Sequence, residues 1–182
     1  MRLFTALDPP DALRDALVLL QSADALPVRW TGREQFHVTL RFIGEVDASQ
    51  ARRFDAALRS LEGPAPRCVP YGLDALPSRR TPRVLAVGLK RTDSIVALYN
   101  AVSSALEAEG LPPEDRDYRP HITLGRLDAP PPDAVHAYLR HNQDLSLPSF
   151  QGERVVLYES TLMPNGAQHE RRAAYPLAAG SG

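Results

Sequence analysis

The strongest constraint in this sequence is a repeated motif. HVTL, beginning at His37, returns as HITL, beginning at His121, and the two motifs hold two of the five histidines in the 182-residue chain. Successive side chains of a β-strand point to opposite faces, so the first and third residues of each motif share a face. His37 is therefore predicted to project beside Thr39, and His121 beside Thr123. The fold must supply two equivalent strands.

Between the motifs, the sequence alternates between strand and helix patterns. Roughly seven or eight short strands are predicted, together with helices in residues 8–24, 47–63, 92–110 and 131–143. Asp8 is the expected N-cap of the first helix. Each half contains one H-x-T strand and two helices, which predicts one domain over residues 1–182, built from two similar α+β lobes and ending in a few disordered residues.

The residue types in the motifs indicate acid–base chemistry. Two imidazoles across a cleft can act as acid and base together, because an unperturbed histidine has a pKa near ~6.5. Threonine hydroxyls and a nearby arginine can hold a phosphoryl oxygen as its negative charge grows. For one such motif, a half-buried histidine bonded to its threonine is the more common role. The duplication favours the catalytic couple.

Composition narrows the function classes further. A net charge of −1 argues against a protein that coats long nucleic acid, but it allows recognition of one phosphate in a pocket. The single cysteine, Cys68, and the lack of a long apolar run predict a cytosolic protein. The other three histidines (His136, His141 and His169) are predicted to be surface residues, and no metal or G-x-G-x-x-G nucleotide cofactor is expected.

The sequence resembles the 2H phosphoesterase superfamily, and within it the RNA 2′,3′-cyclic phosphodiesterases, also described as 2′-5′ RNA ligase-like proteins. Nearly the whole length carries the resemblance, in the segments RLFTALDPP, VRWTGREQFHVTLRFIGEV, TPRVLAVGL, YRPHITLGR and VVLYESTLMPNGAQHE. It implies a bilobal α+β fold, with two pseudo-twofold-related lobes of antiparallel sheet, outer helices and a central groove lined by the motif strands. It also implies RNA ending in a 2′,3′-cyclic phosphate as the partner, and no cofactor.

The roles of the motif residues follow from this resemblance. It implies that His37 is the general acid and His121 the general base, that Thr39 and Thr123 bind the non-bridging oxygens, and that the product is a 2′-phosphate. Nothing in the spacing distinguishes the two histidines. Reverse 2′-5′ ligation is allowed by microscopic reversibility. An enzyme for small cyclic nucleotides or 2′-5′ oligoadenylates, or a non-catalytic nucleotide- or RNA-binding module, remains an alternative, and a monomer is expected.

The arginine of the second motif raises a question of geometry. The resemblance makes Arg126 a phosphate ligand, but strict alternation sends it, and the equivalent Phe42, away from the histidine face. A β-bulge after Leu124, helped by Gly125, would bring Arg126 back, and we favour that solution. Arg41, which is in phase, is the fallback ligand or a solvent-facing charge. Phe42 is either an aromatic wall for a nucleobase or a core residue.

Overall fold

A computed structural model describes residues 1–21, 26–164 and 166–180. The end of the predicted first helix and the last two residues of the predicted tail lie outside these ranges. The described residues form ten β-strands: β1 Arg2–Leu7, β2 Val28–Trp30, β3 Val38–Glu45, β4 Arg67–Cys68, β5 Pro70–Pro77, β6 Pro82–Leu89, β7 His121–Leu127, β8 Phe150–Gln151, β9 Arg154–Met163 and β10 Gly166–Pro176. The α-helices are α1 Asp11–Leu19, α2 Ala48–Arg59, α3 Asp93–Ala108 and α4 Pro132–His141.

The main antiparallel sheet has two lobes. Its strand order is β10-β9-β1-β3-β7-β6-β5, with β2 also paired to β7, while β4 and β8 form a separate small sheet. The two central strands, β3 and β7, are paired only through Val38 and Ile122. In one lobe β1 and β3 flank α1, and in the other β6 and β7 flank α3. The predicted pair of similar α+β lobes is therefore confirmed.

The helices cover one face of this sheet and leave the other face for the groove. The apolar face predicted for α3, formed by Ile95, Leu98, Val102 and Leu106, is buried in the core. Val38 and Ile122 belong to the same core and are inaccessible to solvent. Each such side chain stabilises the fold by about 1.5–3 kcal/mol. The buried face thus fixes which side of each motif strand is free for chemistry.

The prediction for the start of the first helix was wrong. Helix α1 begins at Asp11 with Pro10 in the N-cap position, and Pro10 has extended backbone angles and forms no side-chain cap. The Pro9–Pro10 pair explains this, because a residue before proline avoids helical angles. Asp8 instead accepts hydrogen bonds from the Tyr158 hydroxyl and the Arg171 guanidinium, which ties β1 to the β9–β10 hairpin.

None of the helices in the described ranges is both long and apolar enough to cross a membrane.

Candidate active site

The two motifs meet at the centre of the sheet. Val38 pairs with Ile122, the second residue of each motif. Antiparallel pairing then sets each histidine opposite the threonine of the other motif, so the histidines are diagonal neighbours. Such neighbours have Cα atoms on the order of 7–8 Å apart. Burial is the largest cause of the lowered pKa of His37, and the charges of His169 and His121 lower that pKa further.

Both imidazole rings are held in the same way. The Nδ1 atom of His37 lies 2.7 Å from the carbonyl oxygen of Gln35, and the Nδ1 atom of His121 lies 2.7 Å from that of Arg119. A carbonyl oxygen only accepts hydrogen bonds, so Nδ1 carries the proton in each ring. The other ring nitrogen, Nε2, is then the atom that can give or take a proton.

The motif threonines are half-buried on the same face. Within the part of the chain that the structure describes, neither the Thr39 nor the Thr123 hydroxyl forms a hydrogen bond with a protein group. A hydroxyl can both donate and accept. These two groups are therefore free to bind a ligand placed between the histidines.

Both motif strands contain a bulge at the fourth motif residue. Adjacent residues of β1 pair with Thr39 and Arg41 of β3, which skips Leu40, and adjacent residues of β6 pair with positions 123 and 125 of β7, which skips Leu124. An extra residue on one strand reverses the alternation beyond it. The bulge that we favoured for the second motif is thus confirmed, and it has a counterpart in the first.

The bulge in β7 requires a glycine beside it. A Cβ atom on Gly125 would lie 2.4 Å from Cγ1 of Val28 and 3.0 Å from Cε3 of Trp30. Such contacts are too close for a real side chain, because β2 packs directly against this part of β7. The bulge turns Arg126, the next residue, to the groove side. Burial is the main cause of the lowered pKa of His169, and the charge of Arg126 lowers that pKa further.

The fallback prediction for Arg41 was wrong. Beyond the bulge at Leu40, Arg41 points away from the groove and is buried, forming ion pairs of 3.2 Å with Glu114 and 3.5 Å with Glu107. It also donates a hydrogen bond to the carbonyl of Pro112. This arginine fastens the loop after α3 to the sheet.

Phe42 is the residue that the first bulge turns outward. Its side chain is 56% exposed, so the core alternative fails, and its ring centroid lies 6.0 Å from that of Phe4. The Phe4 ring lies 5.0 Å from that of His37. An aromatic wall therefore runs along the groove beside the first histidine, and its contact with a nucleobase stays a prediction.

A third histidine belongs to this groove, and the sequence interpretation placed it on the surface. The ring centroid of His169, on β10, lies 5.2 Å from that of His37 in an edge-on arrangement. The side chain of Gln35 brackets its backbone, accepting from the His169 amide at 2.9 Å and donating to its carbonyl at 3.4 Å. The Nδ1 atom of His169 is buried without a hydrogen-bond partner in the described structure.

A hairpin signal could have located His169. The Asn-Gly dipeptide at positions 165 and 166 is typical of a tight turn between antiparallel strands. This turn predicts that the last strand starts at Gly166, which puts His169 inside a strand. The structure has this start.

Burial sets the proton affinity of the first histidine. Loss of solvent lowers the pKa of His37 to about 4, and the hydrogen bond to the Gln35 carbonyl opposes the shift. The charges of His169 and His121 lower it further, whereas Asp8 raises it. At neutral pH this imidazole is uncharged.

The second histidine has a more polar setting. Burial also lowers the pKa of His121, the bond to the Arg119 carbonyl opposes this, and the Arg119 charge adds to the lowering. Arg119 lies 3.7 Å from Asp74, and both line a small pocket with His121 and Tyr71. No aromatic ring stacks on His121 among the described residues.

The remaining histidines lie on α4. His141 is exposed, as predicted, and His136 is half-buried. No group of three or more His, Cys, Asp or Glu side chains in the described ranges is arranged to hold a metal ion.

Comparison with known proteins gives a consistent result. The model of the LigT like phosphoesterase family matches residues 7–86 and again residues 87–168. A curated protein of Methanothermobacter thermautotrophicus named RNA 2′,3′-cyclic phosphodiesterase is 31% identical, over 91% of this chain and 93% of its own length. One of the same name from Archaeoglobus fulgidus is 27% identical, over 91% and 94%. The repeated match places the boundary between the two halves inside β6.

Solved structures share the fold. A Thermus thermophilus protein superposes with a TM-score of 0.79 at 24% identity, covering 98% of this chain and 99% of its own. E. coli LigT complexed with 3′-AMP gives a TM-score of 0.74 at 21% identity, covering 97% of each chain.

Proposed function

This chain belongs to the LigT like phosphoesterase family, and we propose that it hydrolyses the 2′,3′-cyclic phosphate at the end of an RNA to a 2′-phosphate. The observation that carries the proposal is the matched pair of imidazoles, each with Nδ1 fixed by a carbonyl and Nε2 left for proton transfer. Relatives at 27% and 31% identity carry the name of this activity.

The proposed reaction is an in-line displacement at phosphorus. Nε2 of His121 takes a proton from water, the water oxygen bonds to phosphorus, and the bond from phosphorus to the ribose 3′-oxygen breaks. His37 gives its proton to that oxygen. No metal or nucleotide cofactor takes part in the proposed scheme. The same displacement, with the 5′-hydroxyl of a second RNA in place of water, forms a 2′-5′ linkage.

The surroundings of the two histidines support this assignment of acid and base. The ribose must lie on the side of the leaving oxygen, and the aromatic wall of Phe4 and Phe42 lies beside His37. An aromatic wall suits a nucleoside. The polar pocket beside His121 suits an attacking water.

The negative charge of the substrate explains how His37, which is uncharged at neutral pH in the free protein, gains the proton that it donates. A phosphodiester anion favours the protonated form of a nearby imidazole, so binding raises the lowered pKa of His37 and loads it with the proton it donates. The non-bridging oxygens, as their charge grows, accept hydrogen bonds from the hydroxyls of Thr39 and Thr123 and from the guanidinium of Arg126.

We also propose that the protein acts as a monomer in the cytosol, since both histidines come from one chain and Cys68 has no disulfide partner within it.

The test is turnover of a defined RNA end. A short RNA with a 2′,3′-cyclic phosphate is incubated with the protein and excess EDTA, and the product is identified by mass and by its resistance or sensitivity to 3′-specific phosphatases. A 2′-phosphate is expected. Unchanged RNA bound with micromolar affinity would identify a binding module instead, and turnover confined to mononucleotides would identify an enzyme of small cyclic nucleotides.

A further inference from the structure

A second cavity lies between the edge strand β5 and α4, and it shares the lining residue Tyr71 with the pocket of His121. Its volume is about 380 Å³, which is within the usual range for a small-molecule site. It is separate from the pocket that contains His121. The lining residues include Tyr71, Arg79, His136, Arg140 and Gln143.

The lining of this cavity is cationic. Two guanidinium groups, Arg79 and Arg140, and the His136 imidazole face it, and no aspartate or glutamate lines it among the described residues. The Arg79 guanidinium also forms an ion pair with the Asp74 carboxylate, with Nε 3.1 Å from Oδ1. Arg140 is exposed and forms no ion pair within the described ranges. In a protein with a net charge of −1, this local excess of positive charge favours an anionic ligand.

Tyr71 connects the cavity to the catalytic groove. Its side chain lines both the cavity and the pocket of His121, and it is 54% exposed. The ring lies directly over Gly88, where a Cβ atom would come within 2.1 Å of the Tyr71 ring. Gly88 in turn pairs with His121. A flat exposed ring at this junction can stack on a nucleobase, and the cations beyond it can bind a phosphate.

The in-line geometry determines which nucleotide the cavity serves. The nucleoside that bears the cyclic phosphate lies on the His37 side, so only the nucleophile lies on the His121 side. Water needs no such cavity. We propose that the cavity beneath Tyr71 is a second nucleotide subsite, which binds the nucleotide joined through its 5′-oxygen to the reacting phosphorus. This inference rests on the proposed function.

The subsite takes part in making and breaking 2′-5′ linkages. In cleavage, His37 takes the proton of the 3′-hydroxyl, that oxygen bonds to phosphorus, and the bond from phosphorus to the 5′-oxygen breaks as His121 donates a proton to it. The products are a 2′,3′-cyclic phosphate and a nucleotide with a 5′-hydroxyl. If that nucleotide carries a 3′-phosphate, the phosphate reaches the cations of the cavity.

The experiment compares 2′-5′-linked diadenosine with and without a 3′-terminal phosphate. In the wild-type protein the phosphate should raise kcat/KM for cleavage about tenfold, as expected for one charged contact. Arg140→Glu should abolish this advantage, and Arg140→Gln should abolish most of it. Arg52→Glu, which changes an exposed arginine on α2, is the matched control and should keep it.

Hydrolysis of cytidine 2′,3′-cyclic phosphate provides the internal reference, since it uses water and does not reach the cavity. Arg140→Glu should leave this rate unchanged, which also shows that the variant is folded. An advantage of the 3′-phosphate that is missing in the wild type or persists in both Arg140 variants would overturn the subsite. So would a wild-type protein that hydrolyses the cyclic nucleotide but cleaves no 2′-5′ linkage. Failure on an RNA that ends in a 2′,3′-cyclic phosphate as well would instead remove the proposed function.

Discussion

The two halves of the groove have the same local backbone arrangement around the histidine, but different neighbouring residues. In each half, a carbonyl two residues earlier holds the imidazole, a threonine follows two residues later, and a bulge comes one residue after that. The first half is bordered by the unrepeated β9–β10 hairpin, which contributes Tyr158 and His169. The second half is bordered by β5, which contributes Asp74. The repeat thus places the imidazoles. Burial is the main cause of the lowered pKa of both, and the neighbouring charges differ: His169 and His121 act on His37, and Arg119 acts on His121.

The largest expected effect tests whether both halves are needed. His37→Ala and His121→Ala should each lower kcat on the cyclic-phosphate RNA about 10³-fold, because an acid–base couple fails when either member is lost. The double variant should be about as slow as either single variant. Single-turnover rates, with the protein in saturating excess over the RNA, measure this. A single variant that keeps more than about a tenth of the rate would leave only one histidine in the mechanism.

The sequence was enough to predict the parts of the molecule that follow simple periods. The apolar faces of the helices and the shared faces of the histidine and threonine pairs depend on regular spacing, and both are as predicted. Prediction failed where one inserted residue reversed the alternation. In β7, Gly125 indicated the bulge, whereas β3 has Arg41 at the equivalent position and gives no such signal. His169 was missed because its contact with His37 spans 132 positions and depends on strand pairing.

The two arginines that follow the bulges sharpen the comparison. Arg126→Ala should lower kcat/KM about 10²-fold with little change in stability, because it removes a donor aimed at the developing charge. Arg41→Met should keep kcat/KM near the wild-type value, but it should lower the free energy of unfolding by about 2 kcal/mol, since Glu107 and Glu114 lose their buried partner while remaining partly exposed. Urea unfolding at 25 °C measures the second effect.

The opposite pattern would reverse the assignment of the two arginines. A large catalytic loss in Arg41→Met at unchanged stability would mean that the first bulge does not turn this residue away from the groove. Arg41→Lys serves as the control, since it keeps the charge but loses the paired geometry of the guanidinium. It should recover part of the lost stability and keep kcat/KM near the wild-type value.

The pH dependence tests the difference in surroundings more directly. The plot of kcat/KM against pH should be bell-shaped with its maximum below about pH 6.5, because both motif histidines have lowered pKa values in the free protein. The plot of kcat should move to higher pH, since the bound phosphodiester raises the pKa values of both histidines.

His169→Phe keeps an aromatic ring but removes a charge that lowers the pKa of His37. This variant should move the acidic limb of the kcat/KM plot to higher pH. A single sigmoid would contradict the couple.

The smallest expected effect separates the two halves by stability. Folded His37 has a pKa of about 4, well below that of an unfolded histidine, so the unfolded chain binds more protons between that pH and about 6.5. The contribution of His37 to the free energy of unfolding is therefore fully present above about pH 6.5. It is lost as the pH falls towards the pKa of about 4 that His37 has in the folded protein. The drop in Tm between pH 7 and pH 4.5 should be about 5 °C smaller in His37→Phe than in the wild type. In His121→Phe the reduction should be smaller, since burial, the main cause in both rings, lowers the pKa of His121 less than that of His37. Comparing each variant with itself at two pH values cancels the lost hydrogen bond to the carbonyl. Equal reductions in both variants would mean that the two imidazoles have the same proton affinity, and that the halves differ only in the shape of their walls.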